Sequence, residues 1–296
     1  MSGRSFTFLV NPASGGGAAP GAVVPVARLL RRAGATVEVT YSPGPMAVRV
    51  LATSAVERGD VVVSVGGDAM VSSLAGLVAR LGGTLGIVPT GRGDGLARML
   101  GLPTSPAQQA ELLLTAAPRT IDLLRAGDRV VVGCVQAGVD ARAAATADRA
   151  RWVPRPLQYP LAALRALASY QPGRYRIVVD GTASDVSAAT VVVANSASCS
   201  RGMRIAPEAV LDDGLLDVVV VGAASRLALA RALPSLYDGS HVARPDVTVL
   251  RGRRVELSAR DARPVPVGAD GAPLGVLPAD RPLVVEILPG ALSVIA

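Results

Sequence analysis

The sequence predicts an α/β fold in two parts, an N-terminal domain built on a parallel sheet and a β-rich C-terminal domain. In the first third, short apolar runs alternate with helical stretches, and this alternation indicates parallel strands joined by right-handed crossovers. Beyond about residue 126, strand-like runs follow one another with few helices between them, which is typical of a β-rich domain. The length of 296 residues suits one large domain or two of ordinary size.

The N-terminal elements are predicted from their periodicity. Short, largely apolar runs that end at Gly, Pro or Asn are expected to be buried strands, and they are Phe6–Val10, Val37–Tyr41, Val61–Val65 and Leu85–Val88. The helices expected between them are Val23–Ala33, Ala47–Arg58 and Met70–Arg80. In the last helix Val71, Leu74 and Val78 fall on one face, as in an amphipathic helix.

The C-terminal part is predicted to be mostly β. Its strand-like segments are Val130–Val135, Tyr175–Val179, Ala189–Ala194, Leu216–Val221, Val247–Leu250, Arg254–Ser258 and Leu283–Ile287. The helical stretches are Ala141–Ala150, Leu157–Tyr170 and Arg226–Leu236. The turn-forming pair Gly127-Asp128 marks the expected boundary. The predicted domains are therefore residues 1–126 and 127–296, and the last residues are free to pack back on the first domain.

The charged residues exclude several classes of enzyme. All 30 basic residues are arginine, against 23 acidic residues, and the chain has no lysine. A P-loop, a protein kinase and a Schiff-base enzyme each need a lysine. A single histidine and two cysteines are too few for a zinc site with four such ligands within one chain.

The apolar composition does not predict a membrane protein. Half of the residues are hydrophobic. However, the sequence contains no stretch of about 18 continuous apolar residues, which is the length needed to span a bilayer. Met1–Val10 lacks the charge pattern of a signal peptide, so we expect a cytoplasmic protein, at most peripheral at the inner membrane face. The net charge of +7 favours anionic partners, such as a nucleotide or an anionic membrane surface. Nucleic acid is not expected, because aromatics form only 3% of the chain and the arginines are dispersed.

Glycine-rich loops follow three of the predicted N-terminal strands. They are Asn11–Gly17, Gly66–Ala69 and Pro89–Gly95. Glycine lets successive backbone N–H groups converge on an anion, and the carboxyl ends of parallel strands meet at one edge of a sheet. The three loops together therefore predict a phosphate cradle built from backbone. No G-x-G-x-x-G follows the first strand, which argues against an ordinary dinucleotide-binding fold.

An ordered series of motifs resembles the bacterial diacylglycerol kinase and sphingosine kinase-like lipid kinase family. The similarity extends over nearly the whole chain. Its landmarks are Asn11–Gly15, Gly66–Asp68, Pro89–Gly91, Leu96–Pro103, Gly138–Ala141, Ile205–Pro207, Asp212–Asp217 and Asp270-Gly271. The resemblance implies the diacylglycerol kinase catalytic fold, with an α/β nucleotide-binding domain, a β-sandwich second domain and an active site in the cleft between them.

The resemblance also implies an activity and its residues. The activity is ATP- and Mg²⁺-dependent phosphorylation of a lipid hydroxyl, such as that of diacylglycerol. The implied nucleotide-binding residues are Asn11, Ser14, Gly15, Thr40, Gly66, Gly67, Asp68, Ala69, Met70, Gly91, Arg92 and Asp94. The family's metal site matches the Asp213 side chain with the main-chain carbonyls of Val210 and Leu215, and Asp270 is the implied catalytic base.

The motifs that touch nucleotide and the reacting hydroxyl depart from the family pattern. Ala69 stands where the family has a further glycine, Asp94-Gly95 where it has Asn-Asp, and Ala272 where it has the glutamate of an Asp-Gly-Glu motif. Two hypotheses follow. The chain is a working lipid kinase with an altered site, or a diverged non-kinase member. The second would bind a nucleotide or lipid as a regulator, or act on a small hydrophobic molecule with His241 as a candidate acid or base. A homodimer is compatible with both.

Overall fold

The computed structural model describes residues 3–41, 44–90, 95–147, 155–198, 202–261, 263–278 and 280–296. The chain divides into two compact units. The first contains the residues up to Leu123 together with Pro289–Ala296, and the second is Leu124–Leu288. Among the described residues, no helix has the length and apolar character needed to cross a bilayer.

The first unit alternates strands with helices along the chain. Its strands are β1 (Ser5–Val10), β2 (Thr36–Tyr41), β3 (Val61–Gly66) and β4 (Thr84–Pro89). Its helices are α1 (Ala19–Arg32), α2 (Pro45–Glu57), α3 (Asp68–Arg80), α4 (Gly95–Met99) and α5 (Pro106–Thr115), with a 3₁₀ turn at Ser14–Gly16. The predicted N-terminal strands and helices are thus confirmed.

The sheet of the first unit is parallel, with strand order β2-β1-β3-β4. Ser293 and Val294, near the end of the chain, add a further parallel pairing beside β4. Phe8 and Leu9 of β1 are fully buried, so the central strands have the continuous apolar character of a sheet covered on both faces. This topology brings the loops that follow β1 and β3 to the same edge, because these strands are direct neighbours.

The second unit is dominated by antiparallel strands. The strand β5 (Pro118–Ala126) leads into it, and the others are β6 (Arg129–Val131), β7 (Cys134–Gly138), β8 (Gly173–Val179), β9 (Thr182–Ala194), β10 (Leu216–Gly222), β11 (Val247–Gly252), β12 (Arg254–Ala259), β13 (Pro266–Ala269), β14 (Ala272–Val276) and β15 (Leu283–Ile295). The helices are α6 (Val139–Ala147), α7 (Arg155–Ala168), α8 (Arg226–Ala232) and α9 (Ser235–Asp238), with a 3₁₀ turn at Ser240–Ala243.

The strands of the second unit run in the order β14-β13-β7-β9-β8-β12-β15, and β10 pairs with β9 and β11. Alternate residues of β7 and β9 point to two different cores. Val135, Val191 and Val193 contribute to a core of Val, Leu and Ile side chains. Cys134 and Val192 pack with alanines of α6 and α7. Such alternation is expected when both faces of a sheet are buried, because successive side chains of a strand point to opposite faces.

Several predicted C-terminal elements have different bounds. The predicted strand Val130–Val135 is two strands, β6 and β7, separated at residues 132–133. The predicted helix Arg226–Leu236 is divided into α8 and α9, because Pro234 lacks the N–H that would continue it. The last strand extends well beyond Ile287, to Ile295.

Candidate functional site

The loop after β1 folds into a tight turn. The Asn11 amide donates to the carbonyl of Val65 in β3 (3.2 Å), and the Asn11 side-chain oxygen accepts the amide of Ala13 (3.0 Å). Ser14 begins the 3₁₀ turn that contains Gly15, and Gly17 closes it with a φ of 95°. The predicted residues Asn11, Ser14 and Gly15 therefore lie in one turn that is joined to β3.

The loop after β3 meets this turn. A Cβ placed on Gly66 would lie 3.2 Å from the Ser14 hydroxyl and 2.9 Å from the Met70 sulfur. Ser14, from the loop after β1, and Met70, four residues beyond Gly66, thus both lie close to Gly66. Only glycine fits at position 66 without displacing its neighbours.

Helix α3 begins at Asp68, two residues after Gly66, and includes Met70. Gly67 is its N-cap, and because glycine has no side chain, the N-cap residue itself leaves the helix uncapped. Asp68 is the first helical residue and Ala69 the second. The uncapped first turn of a long helix presents backbone N–H groups and the positive end of the helix dipole, which together favour an anion such as phosphate.

The start of α4 also reaches this region. The Leu96 amide lies 3.5 Å from a carboxylate oxygen of Asp68, so the segment after the β4 loop contacts the first turn of α3. The predicted residues Gly91, Arg92 and Asp94 lie outside the described residues. Thr40, the remaining predicted nucleotide contact, pairs with Leu9 across β2 and β1, and its hydroxyl lies 3.5 Å from Glu38.

The turn at Asp213 already has a positive partner. One carboxylate oxygen of Asp213 accepts the Leu215 amide (3.0 Å), and the other is paired with Arg251. The Arg251 guanidinium also lies 3.3 Å from the carboxylate of Asp217, which is only 2% exposed. The Val210 side chain is exposed.

With both oxygens of Asp213 engaged and a guanidinium beside them, the turn as folded does not fit a divalent cation. Metal-binding clusters of three or more His, Cys, Asp or Glu are absent from the described residues. The metal site at Asp213, Val210 and Leu215 therefore stays a prediction, and no step of the chemistry below depends on it. Burial raises the pKa of Asp217, although Arg251 partly opposes the effect.

The carboxylate of Asp270, the predicted base, is surrounded by backbone amides. One oxygen accepts from Gly133 (3.1 Å) and Cys134 (2.8 Å), and the other accepts from Val132 (3.0 Å) and Gly133 (3.2 Å). Any proton that this carboxylate accepted would compete with these donors. Ala272, two residues further on, begins β14 and is exposed, so its methyl group brings no acid or base to the hairpin.

The single histidine serves the fold of the second unit. His241 is 2% exposed. Its Nε2 lies 3.0 Å from the carbonyl oxygen of Ile205, and its Nδ1 lies 3.3 Å from that of Ser235. Because both ring nitrogens face backbone carbonyls, the ring holds its 3₁₀ turn in place, and this geometry does not support a role as free acid or base.

An apolar cavity of about 80 Å³ lies in the second unit. Its walls come from α6, α7, α8, β9 and β10, and they include Ala163, Leu167, Val192 and Leu229. This cavity was not expected from the sequence. The small and apolar residues at helical spacing in α7, from Ala162 to Leu167, were the available signal, but such spacing is typical of any packed helix.

The comparisons with known proteins agree with this architecture. Residues 5–126 match the diacylglycerol kinase catalytic domain family, and residues 133–296 match the family described as YegS C-terminal NAD kinase beta sandwich-like domain. A diacylglycerol kinase from Mycobacterium tuberculosis is 34% identical over 297 residues, covering 98% of this chain and 94% of the relative. A protein described as probable lipid kinase YegS-like, from Stenotrophomonas maltophilia, is 27% identical and covers 86% and 84%.

Solved structures show the same fold. The crystal structure of a diacylglycerol kinase from Bacillus anthracis superposes with a TM-score of 0.73 at 19% identity, covering 100% of this chain and 97% of that one. The yeast NADH kinase is more distant, with a TM-score of 0.52 and 9% identity. The predicted α/β fold with a β-sandwich-like second domain is confirmed. The chain belongs to the family of diacylglycerol kinases and YegS-like lipid kinases.

Proposed function

We propose that this protein is a lipid kinase that transfers the γ-phosphoryl group of Mg-ATP to the hydroxyl of a lipid such as diacylglycerol. The observation that carries the proposal is the meeting of the β1 and β3 loops at the start of α3, where Ser14 and Met70 both lie beside Gly66 and the N-cap residue is a glycine. The match to the diacylglycerol kinase catalytic domain family, and a relative named diacylglycerol kinase, support the same class of reaction.

The absence of lysine suits this site. Phosphoryl transfer depends mainly on positioning and on neutralisation of charge. Backbone amides after β1 and β3 and the dipole of the 13-residue helix α3 supply both without a cationic side chain. Asp68, in the first turn of α3, is the residue that we propose to hold the Mg²⁺ that accompanies ATP. That ion would neutralise charge on the phosphates.

The proposed reaction balances without a further reagent. The lipid hydroxyl oxygen forms a bond to the γ-phosphorus, and the bond from that phosphorus to the β,γ-bridging oxygen breaks. The products are the phosphorylated lipid and ADP, and the hydroxyl proton passes to a phosphate oxygen or to solvent. A protein base typically adds about 10²–10⁴ in rate, so an enzyme without one is expected to be slow.

The apolar cavity of the second unit is the proposed place for part of an acyl chain. Its lining is mostly apolar, as lipid-binding surfaces require, and its polar residues are Asp140, Thr190 and His241. Its volume of about 80 Å³ is well below the roughly 300 Å³ of a pocket for a drug-sized ligand. Binding a full acyl chain therefore requires α7 and α8 to separate.

A second function, nucleotide or lipid binding without transfer, is supported by one specific observation. The hairpin Asp270–Ala272 offers no free carboxylate, because Asp270 is engaged by three amides and Ala272 has only a methyl group. A protein with this hairpin would retain a nucleotide cradle and lose turnover.

The experiment is a Mg-ATP binding titration combined with a lipid phosphorylation assay. The variant Asp68→Asn keeps an oxygen that can accept the Leu96 amide but loses the charge, and Asp128→Asn, in an exposed turn, is the matched control. We expect the wild type and Asp128→Asn to bind Mg-ATP and phosphorylate diacylglycerol, whereas Asp68→Asn loses the Mg²⁺-dependent part of binding. Tight Mg-ATP binding with no lipid product would favour the second function.

A further inference from the structure

The hairpin that carries Asp270 has a counterpart elsewhere in the second unit. Asp270-Gly271 joins β13 to β14, and Asp180-Gly181 joins β8 to β9. The φ angles are 45° and 79° in the first turn and 46° and 86° in the second. Two residues with positive φ form the hairpin turn for which Asp-Gly is favoured.

Both aspartates make the same contacts with a neighbouring strand. The Asp180 amide donates to Arg254, which begins β12, and the Asp180 carboxylate accepts the amides of Arg253 and Arg254 at 2.8 to 3.0 Å. The Asp270 amide donates to Cys134, which begins β7, and its carboxylate accepts the amides of Val132, Gly133 and Cys134. In each case the strand that begins there is the antiparallel neighbour of the hairpin.

A glycine lies against each carboxylate. A Cβ on Gly133 would lie 2.7 Å from an Asp270 oxygen, and one on Gly252 would lie 2.8 Å from an Asp180 oxygen. The segment beside Asp270 is also held from its other side, because the Gly133 carbonyl accepts the Asn195 amide at 2.8 Å. The turn, the bonded amides and the adjacent glycine thus recur as one structural device, named here the Asp-Gly clamp.

We propose that Asp270 is a positioning residue that holds the segment Val132–Cys134, and not the base that accepts the proton of a lipid hydroxyl. Asp180 supports this assignment, because it makes an equivalent clamp at a hairpin to which no chemistry has been assigned. The proposal concerns the site of the proposed function, but its structural part holds whether or not the protein transfers phosphate.

The test compares Asp270→Asn with its internal counterpart Asp180→Asn by hydrogen exchange of the full-length protein. Asparagine tolerates positive φ but presents only one acceptor oxygen, so part of each clamp is lost. We expect exchange at residues 132–134 to rise about tenfold or more in Asp270→Asn, the equivalent of one hydrogen bond to a charged group. Asp180→Asn should show the corresponding rise at residues 253–254 alone. Unchanged exchange at 132–134 in Asp270→Asn would overturn the proposal.

A second variant leaves the carboxyl group in place. Gly133→Ala would push the Asp270 carboxylate away from its amides, so we expect the same local rise in exchange even though Asp270 is still present. This variant keeps the proposal testable if Asp270→Asn does not fold.

Kinetics provide the functional arm. A positioning role predicts that the pH dependence of kcat keeps its shape in Asp270→Asn and that formate does not restore lost activity. A loss of about 10²–10⁴ in kcat without a change in exchange at 132–134, or rescue by formate, would show that Asp270 is the base. If the wild type transfers no phosphate to any lipid, the proposed kinase function fails, and the exchange result still tests whether Asp270 holds residues 132–134.

Discussion

Gly67→Ala separates the fold of the proposed phosphate cradle from its function. Gly67 has a φ of −89° and a ψ of −178°, an extended conformation that alanine adopts without strain. A Cβ at this position would meet no atom of the described residues within 4 Å. Alanine restricts the unfolded chain, which stabilises the fold by about 0.4–1 kcal/mol, but it is a poorer N-cap than glycine. Because these two effects oppose each other, the free energy of unfolding should change by less than about 1 kcal/mol.

Nucleotide binding should respond differently. If phosphate lies against the start of α3, the new methyl group enters the space that the ligand needs. Forcing an extra methyl group into a packed contact costs about 1–3 kcal/mol, which corresponds to a loss of about 5- to 150-fold in affinity. Isothermal titration with Mg-ATP measures this loss, and denaturant unfolding measures stability on the same samples.

Two other glycine variants provide the comparison. Gly66→Ala places its Cβ 2.9 Å from the Met70 sulfur, so it should reduce both stability and Mg-ATP affinity. Gly21→Ala, in α1, meets no atom within 4 Å and should leave Mg-ATP affinity unchanged. Wild-type affinity for Mg-ATP in Gly67→Ala would refute the placement of phosphate at this loop.

Three further predictions concern the second unit and the stability of the first. Ala272→Glu adds a carboxylate to the hairpin, and we expect kcat to rise by about 10²–10⁴ at unchanged Mg-ATP affinity; an unchanged kcat, equal to that of Ala272→Gln, would contradict this. Ala163→Leu fills the apolar cavity and should raise KM for long-chain lipids only, so an equal KM would exclude the cavity as an acyl site. Burial raises the pKa of Asp60, but hydrogen bonds from two hydroxyls and Arg58 outweigh this and lower it. A lowered folded-state pKa stabilises the protein above the unfolded pKa of about 4, and the effect disappears as the pH falls through the folded-state value. Asp60→Asn should therefore cost about 1 kcal/mol at pH 7 and nothing below both pKa values in urea unfolding, and an equal cost at both pH values would contradict this reasoning.

The parallel first unit was predictable from the sequence because its signals are local. Val61–Val65 is an apolar run, interrupted only by Ser64 and ended by glycines, and the other predicted strands of this unit are likewise short and largely apolar. Once the strands are parallel, the loops after β1 and β3 must meet at one edge. The contact of Ser14 with Gly66 follows from topology, although its distance does not.

In the second unit, the differences between the predicted and the observed elements arise from interactions between residues that are distant in sequence. The run Val130–Val135 looks continuous, yet it divides at Gly133 because the amides there bond to Asp270, 137 positions away. Periodicity cannot report such a partner. The hydrogen bonds of Asp270 could not be predicted for the same reason. An Asp-Gly pair is compatible with a turn, a catalytic base or a clamp, and only the neighbouring strand distinguishes them.

Single-turnover transfer of labelled γ-phosphate from Mg-ATP to a panel of lipids tests the central claim most directly. We predict slow, Mg²⁺-dependent labelling of diacylglycerol by the wild type, faster labelling by Ala272→Glu, and little labelling by Asp68→Asn. The opposite result is Mg-ATP binding by the wild type with no labelled lipid above the enzyme-free rate, either in the wild type or in Ala272→Glu. That outcome would contradict the assignment of a lipid kinase and leave a nucleotide-binding member of the fold.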